Sequence, residues 1–393
     1  MLRIKLLPAE YGDCIIISIG DINQYNLLID GGLVKTYQKY IALELQHMKA
    51  SGQKINLMVC THMDNDHIGG LVQVLRNATS NLIENAWYNG FLQVISSKFY
   101  SQKENDFTDR DKKILETIIF QGTLSDAEQE IGINEGMSLG VLIEERKIPL
   151  NALAKGQAIC PELIKGRQEI AKNIFATILG PSKCNIMEVE DFWKKDMVSR
   201  NYMFRVSDKI KLTEAFEYQL ERIKSVYSGE RLKISANEDL EKYIGDLKEI
   251  DDSIVNKSSI SFILEYENKK YLFLGDAVID ELLLKNIENV VGFKYHFSAI
   301  KLPHHGSRYN ITHDFIRRYT ADEYYCLTNS KKYDHPDLEV LAAILCKDSQ
   351  FKRLVFNYPI DKAYFLDKKE WKEKYNYEVI MGDGKTIVER MFE

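Results

Sequence analysis

Ile55-Asn56-Leu57-Met58-Val59-Cys60-Thr61-His62-Met63-Asp64-Asn65-Asp66-His67-Ile68-Gly69-Gly70 is the stretch on which the reading of this chain turns. Its first six residues form an apolar run of strand length. Ile68-Gly69-Gly70-Leu71-Val72-Gln73-Val74-Leu75 reads as the start of a helix. Between them, His62, Asp64, Asp66 and His67 place four potential metal ligands within six residues. A loop leaving a strand end can turn several such side chains toward one point. Imidazole suits zinc, iron and manganese, whereas carboxylates suit harder ions such as manganese or magnesium. The chain holds eight histidines in all, so two in this one loop argue against an ordinary polar turn.

Upstream, Cys14-Ile15-Ile16-Ile17-Ser18 and Asn26-Leu27-Leu28-Ile29 read as strands, the second stopped by Asp30-Gly31-Gly32. Residues 36–48 show helical spacing. Strand, helix, strand, polar loop, helix is the rhythm of a layered α/β fold. Residues 92–168 and 187–252 are charged and helical, and read as insertions into a β-rich core within a single domain spanning 1–393. Ser125-Asp126-Ala127-Glu128 reads as a capping box, and 238–251 as a helix. Phe175 to Leu179 reads as a strand closed by Gly180-Pro181. Ser259 to Tyr266 and Tyr271 to Leu274, joined by Glu267-Asn268-Lys269-Lys270, read as a hairpin. Ala299 to Leu302, Tyr324 to Leu327 and Leu354 to Phe356 are further strands. Asp337 reads as the cap of a helix through Cys346.

The 393 residues are 45% hydrophobic and 28% charged, which permits a large core and excludes a low-complexity chain. A net charge of -6 gives no global signature of nucleic-acid binding, though it leaves room for a local basic groove. None of the six cysteines forms a C-x-x-C pair, so reduced thiols in a cytoplasmic protein are expected. No signal peptide and no membrane span are expected.

Three more segments carry chemistry, each after a strand: Leu274-Gly275-Asp276, Pro303-His304-His305-Gly306-Ser307, and His335-Pro336. Together with the first motif they resemble the metallo-β-lactamase superfamily, whose H-x-H-x-D-H pattern is met here with Asp64 in place of the second histidine. That variant is similar to the soluble domain of the DNA-uptake protein ComEC and its relatives. Tyr11-Gly12-Asp13-Cys14, Leu28-Ile29-Asp30-Gly31-Gly32, Asn256 with Ser259, and the later Asp276, His304-His305 and His335 segments match that subgroup in order.

The resemblance implies a four-layer αββα sandwich with helical insertions and a site at one edge of the two sheets. It implies one or two divalent ions, zinc or manganese. Asp66, His67, Asp276 and one of His304 and His305, with His305 favoured, would hold one ion; His62, Asp64 and a bridging Asp276 the other. The family supplies a further histidine between the first motif and the bridging Asp, but none lies between His67 and His296 here. Asn89 stands near that place as a weak or water-mediated ligand, which favours manganese. His304 is expected as a substrate or proton-transfer group, Asp64 or Asp66 as a base, and His335 as a further catalytic group. Asn89, Asn256, Ser259 and Ser307 are expected against substrate, with Ser258, Arg308, Lys331 and Lys332 as phosphate-holding groups. Asp30 and Asp13 are candidates for orienting histidines, Asp13 fitting a turn cap better.

The expected function is metal-dependent hydrolysis of a phosphodiester, DNA or RNA, by water activated near neutral pH. The alternatives are a small-molecule ester, lactam or lactone hydrolase, and a non-catalytic metal-binding component of a bacterial defence complex that docks a partner protein through the insertions.

Overall fold

Strand Ile15–Ile19 is buried along its whole length, and its two faces serve two different cores. Successive strand residues point to opposite sides of a sheet. Ile15, Ile17 and Ile19 pack between two sheets, while Ile16 packs outward with Leu28, Met58 and the helix residues Ile41, Leu45, Leu71 and Val74. A strand covered on both faces reads as a continuous apolar run.

The computed structural model describes all residues except 23, 98–108, 130–137, 203–207, 222–238 and 249. In the first sheet the order is β14 (Val388–Phe392), β1 (Leu2–Leu6), β2 (Ile15–Ile19), β3 (Tyr25–Ile29), β4 (Leu57–Val59), β5 (Ala86–Trp87). The second runs β13 (Tyr377–Met381), β12 (Lys352–Phe356), β11 (Tyr319–Cys326), β10 (Tyr295–Lys301), β9 (Lys269–Phe273), β8 (Ser261–Tyr266), β7 (Ile174–Gly180), β6 (Arg167–Ala171). Strands β3, β4 and β5 are parallel, as are β9 to β13.

Phe262, Phe273, Tyr271, Ala299 and Tyr325 of the second sheet meet Ile17, Leu27 and Val59 of the first in the inter-sheet core. Leu272, Ile300 and Cys326 face the other way, against Leu283, Ile287, Phe315, Leu341 and Leu345 from helices. Helix, sheet, sheet, helix is the αββα layering expected.

Several local readings change. The first-motif helix spans Asn65–Arg76 and begins inside the ligand motif, not at Ile68. Asp64 at its N-cap makes no capping bond, so its carboxylate stays available. Ser125 to Glu128 lie within the helix Asp109–Gln129 rather than at a helix start. The expected helix 238–251 is reduced to a 3-10 turn, Leu240–Tyr243, with 238 and 249 outside the described residues. Leu240, Tyr243 and Leu247 have helical spacing, but each is drawn into the outer core. Gly245 passes so close to Glu339 that an added Cβ would meet its side chain at 2.5 Å. Asp337 does precede the helix Leu338–Cys346, yet its carboxylate accepts the Arg308 N–H at 2.8 Å instead of capping.

Helices Leu139–Glu145 and Lys209–Glu221, from the two stretches read as insertions, are joined by a buried carboxylate. Glu217 accepts the backbone N–H groups of Leu139 and Gly140, each at 2.9 Å; these are first-turn donors that lack a helical partner. Burial pushes the Glu217 carboxyl up, from 4.5 to about 7, against these hydrogen bonds. A raised folded value means the folded state holds the proton longer. The associated stability is present below 4.5 and is lost as pH rises through about 7. Glu217→Gln is therefore expected to flatten the fall of Tm between about pH 5 and about pH 8; a Tm–pH curve parallel to wild type would contradict this.

Candidate metal centre

The ends of β3, β4, β9, β10 and β11 lie on one edge, where parallel sheets place their ligands. Asp30 follows β3, His62 to His67 follow β4, Asp276 follows β9, His304 and His305 follow β10, and His335 follows β11. Two close backbone approaches set the first motif in place. The Gly31 N–H donates to the His67 carbonyl at 2.7 Å and the Gly70 N–H to that of Gly32 at 2.9 Å. A Cβ on Gly70 would fall 2.0 Å from the Gly31 oxygen. Glycine there lets the helix Asn65–Arg76 reach the end of β3. Adjacent His304 and His305 take left-handed backbone angles, φ 45 and 56°, which turns their rings to an interplanar angle of 62°.

Four imidazoles converge on one oxygen. His67 Nε2 lies 3.4 Å from Asp276 Oδ2, His305 Nε2 3.8 Å, and His62 and His304 Nε2 each 3.9 Å. Their other nitrogens are committed. His305 Nδ1–H donates to the Leu327 carbonyl at 2.7 Å, and His67 Nδ1–H to Asp30 Oδ2 at 2.9 Å. The Thr61 hydroxyl gives its proton to Asp30 at 2.7 Å, so it accepts from His62 Nδ1–H at 3.0 Å. Asn310 donates through Nδ2 to Asp251 and to the Asp276 carbonyl; its Oδ1 thus faces His304 and accepts Nδ1–H at 3.0 Å. With Nδ1 committed as donor in every ring, the four Nε2 atoms are left facing one carboxylate, where a cation or a proton can stand.

The Nε2 atoms of His62, His67 and His305 and the Oδ1 of Asp276 are buried without a hydrogen-bond partner. An unpaired buried polar atom costs about 1–3 kcal/mol, so a cluster of them marks a site built for something else. Donor atoms of His62, His67 and Asp276 come within 4.8 Å of one another, as do those of Asp66, His67 and His305. Asp64 Oδ2 is 3.5 Å from His62 Nε2. Imidazole nitrogens and carboxylate oxygens in this number fit a divalent cation.

The electrostatics point the same way. Burial by itself lowers the His67 pKa, yet Asp276 and Asp30 hold it well above the ordinary value. Burial opposes ionisation of Asp276, yet His67, His305, His304 and Lys301 keep its carboxyl well below the usual range. The pocket favours positive charge.

Lys301 was not read from the sequence. It is 2% exposed, its Nζ pairs with Asp13, lies 3.5 Å from Asp276 Oδ1 and donates to the Gly275 carbonyl at 2.9 Å. Asp13 is therefore no turn cap. Against its burial, Lys301 and His305 lower its carboxyl pKa to about 2, and it lies 3.3 Å from His305 Nδ1. Asp251 and Asn310, which brace His304, were also missed. No motif marks them, since they lie in loops that meet the site only through folding.

The expected substrate contacts are placed differently. Asn89 clamps Ile159, donating to its carbonyl at 3.0 Å and accepting its N–H at 2.8 Å; both ends of the amide are engaged away from the centre. Asn256 donates to Asp251 at 2.5 Å. Ser259 Oγ accepts the Asp276 N–H at 3.3 Å, and Ser307 Oγ that of Tyr309 at 3.2 Å. All four are buried and brace the site rather than face outward. Ser258 is bonded to the Val255 carbonyl and Arg308 to Glu339 and Tyr309, leaving Lys331 and Lys332 exposed. His335 is buried, with its ring 5.0 Å from that of His304 and Nδ1 3.4 Å from Asp337; burial lowers its pKa.

Layers and centre together define an αββα sandwich with a histidine–aspartate centre at the carboxyl ends of its parallel strands. No protein-family model and no curated protein sequence matches the chain. Among solved structures it is similar to the metallo-β-lactamase fold protein YhfI from Bacillus subtilis, at 9% identity and a TM-score of 0.36, over 99% of each chain. It is also similar to Zn(2+)-bound PqqB from Methylobacterium extorquens, at 10% identity and a TM-score of 0.37, over 96% of this chain and 87% of the other. Among the described residues no helix is long and apolar enough to cross a membrane.

Two outcomes follow from the bracing groups. Asp30→Asn removes the acceptor that holds the His67 and Thr61 protons, and is expected to weaken metal affinity about 10–100-fold, read by competition with a chromogenic chelator. Lys301→Met leaves Asp13 and Asp276 without their buried cation. It is expected to cost about 3–5 kcal/mol in metal-free protein, with added divalent metal recovering part of the loss in a denaturant titration.

Proposed function

We propose that this chain is a metal-dependent hydrolase that cleaves phosphodiesters. The observation that carries the reading is the convergence of four Nε2 atoms on Asp276 Oδ2, at 3.4–3.9 Å. Groups of like polarity are gathered in a buried pocket, an arrangement that favours a cation among them. A divalent cation there supplies Lewis-acid polarisation of a phosphoryl oxygen and water ionised near neutral pH.

The chain's own residues divide the remaining work. His62, Asp64, Asp66, His67, Asp276 and His305 would hold the ion or ions, Asp276 being the carboxylate on which the imidazoles converge. His304 has the least buried of the four converging rings, its side chain 12% exposed. Its Nδ1 proton is pinned on Asn310, so its Nε2 is the atom placed to carry a proton to and from the leaving oxygen. His335 backs that ring. Lys332 and Tyr333, exposed beside it, favour an anionic substrate over a neutral lactam or ester.

Protein loaded in turn with zinc and with manganese is expected to hydrolyse bis-p-nitrophenyl phosphate. Asp276→Ala is expected to lose both bound metal, by elemental analysis, and turnover. His304→Ala is expected to keep its metal and lose turnover by about 10²–10⁴-fold. Loaded, folded protein that turns over a lactam or a thioester but no phosphodiester would sink the reading.

A further inference from the structure

The edge that carries the metal centre continues into a recess of opposite charge to the whole chain. The protein carries -6, yet a recess of about 340 Å³ is lined by Lys35, Lys39, Lys331 and Lys385, with Tyr40 and Tyr358. Two carboxylates, Glu10 and Asp383, share its wall. That of Asp383 is engaged locally, accepting the N–H groups of Lys385 and Thr386 at 2.8 and 2.7 Å. The four lysines come from three separate parts of the fold: the helical stretch after β3, the loop after β11 and the connection from β13 to β14. All four are exposed, and among the described residues Lys39, Lys331 and Lys385 show no ion pair. The floor beneath them is braced. The Asn329 N–H donates to the Glu10 carbonyl at 2.7 Å, and the Glu10 N–H to the Tyr358 hydroxyl at 2.8 Å.

Glu10 leads directly into Tyr11 to Asp13, and Lys331 into the loop that ends at His335, so recess and centre share their walls. Lys332 Nζ stands 4.2 Å from the ring centre of Tyr11 and 4.8 Å from that of Tyr333. Tyr333 in turn lies 6.3 Å from His304 and 6.2 Å from His335, ring to ring. Tyr11 and Lys332, next in the chain to the recess residues Glu10 and Lys331, thus stand with Tyr333 on the side toward the imidazoles.

We propose that this recess binds the sugar-phosphate strand of a single-stranded nucleic acid, holding the nucleotides that flank the phosphodiester presented at the metal centre. The proposal rests on the phosphodiesterase reading and adds a second, separate place of contact. Lysine ammonium groups are point charges that take backbone phosphates without regard to base. Aromatic rings between them offer faces on which any base can stack. A concave recess admits a flexible strand, whereas a stiff duplex would bridge its mouth. A dinucleotide would be held at the metal centre and would leave the lysines unused.

Binding is separable from catalysis. Fluorescence anisotropy of a fluorescein-labelled single-stranded DNA, in EDTA and across a salt series, compares wild type, the double variant Lys39→Gln with Lys385→Gln, and a control double variant Lys285→Gln with Lys369→Gln on other exposed surfaces. The recess variant is expected to bind about tenfold or more weakly, with its log–log salt slope reduced by about 0.7 for each lysine removed. The control is expected to match wild type. Cleavage of the oligonucleotide should fall in the recess variant while hydrolysis of bis-p-nitrophenyl phosphate is unchanged. Unaltered affinity and slope in the recess variant overturn the proposal, as does duplex DNA bound as tightly as the single strand. Lysine-dependent binding without hydrolysis of either substrate supports the recess and overturns only the catalytic reading.

Discussion

Lone pairs facing a carboxylate are a source of repulsion, and this fold spends its most precise packing on creating that arrangement. Each of four histidines gives its Nδ1 proton to a separate, specific acceptor: Leu327, Asp30, Thr61 or Asn310. Fixing Nδ1 in this way leaves every Nε2 pointed inward at the Asp276 carboxylate. Such an assembly favours a cation at its centre, and metal binding that is coupled to folding in this way adds to a protein's stability. Lys301 supplies part of the compensation as a fixed charge below the centre, against Asp13 and the far oxygen of Asp276.

The layers exist to bring these acceptors together. Asp30 and the first motif come from the first sheet, Asp276 and the paired histidines from the second, and the inter-sheet core between them is continuous from Ile17 to Tyr325. Because both sheets are parallel near this edge, every contributing strand ends on the same side. The resulting centre is braced: Ser259 holds the Asp276 backbone and Asp251 holds the amide of Asn310. Buried serines and asparagines that look like substrate contacts in a list of polar residues are here the frame around the ligands. In the proposed reading, substrate recognition falls instead to exposed groups outside the motifs, lysines and tyrosines drawn to one edge from distant segments.

Much of this was legible in the chain itself. The apolar run ahead of His62, the dense alternation of histidine and aspartate, the Asp after Leu274-Gly275 and the paired histidines after Pro303 are local signals, because a strand end followed by a ligand-bearing loop is a local structure. Sequence alone thus indicated the layered class and the inner ring of candidate ligands. Tertiary structure decided what each polar residue does. Lys301 reads as one more lysine on a strand until burial pairs it with Asp13. Asn89 reads as a ligand until Ile159 takes both ends of its amide, and 238–251 reads as a helix until its apolar residues are claimed by the outer core. The physical reason is range: backbone periodicity and loop chemistry act between neighbours in sequence, whereas hydrogen-bond acceptors, buried charges and the basic recess are shared between segments hundreds of residues apart.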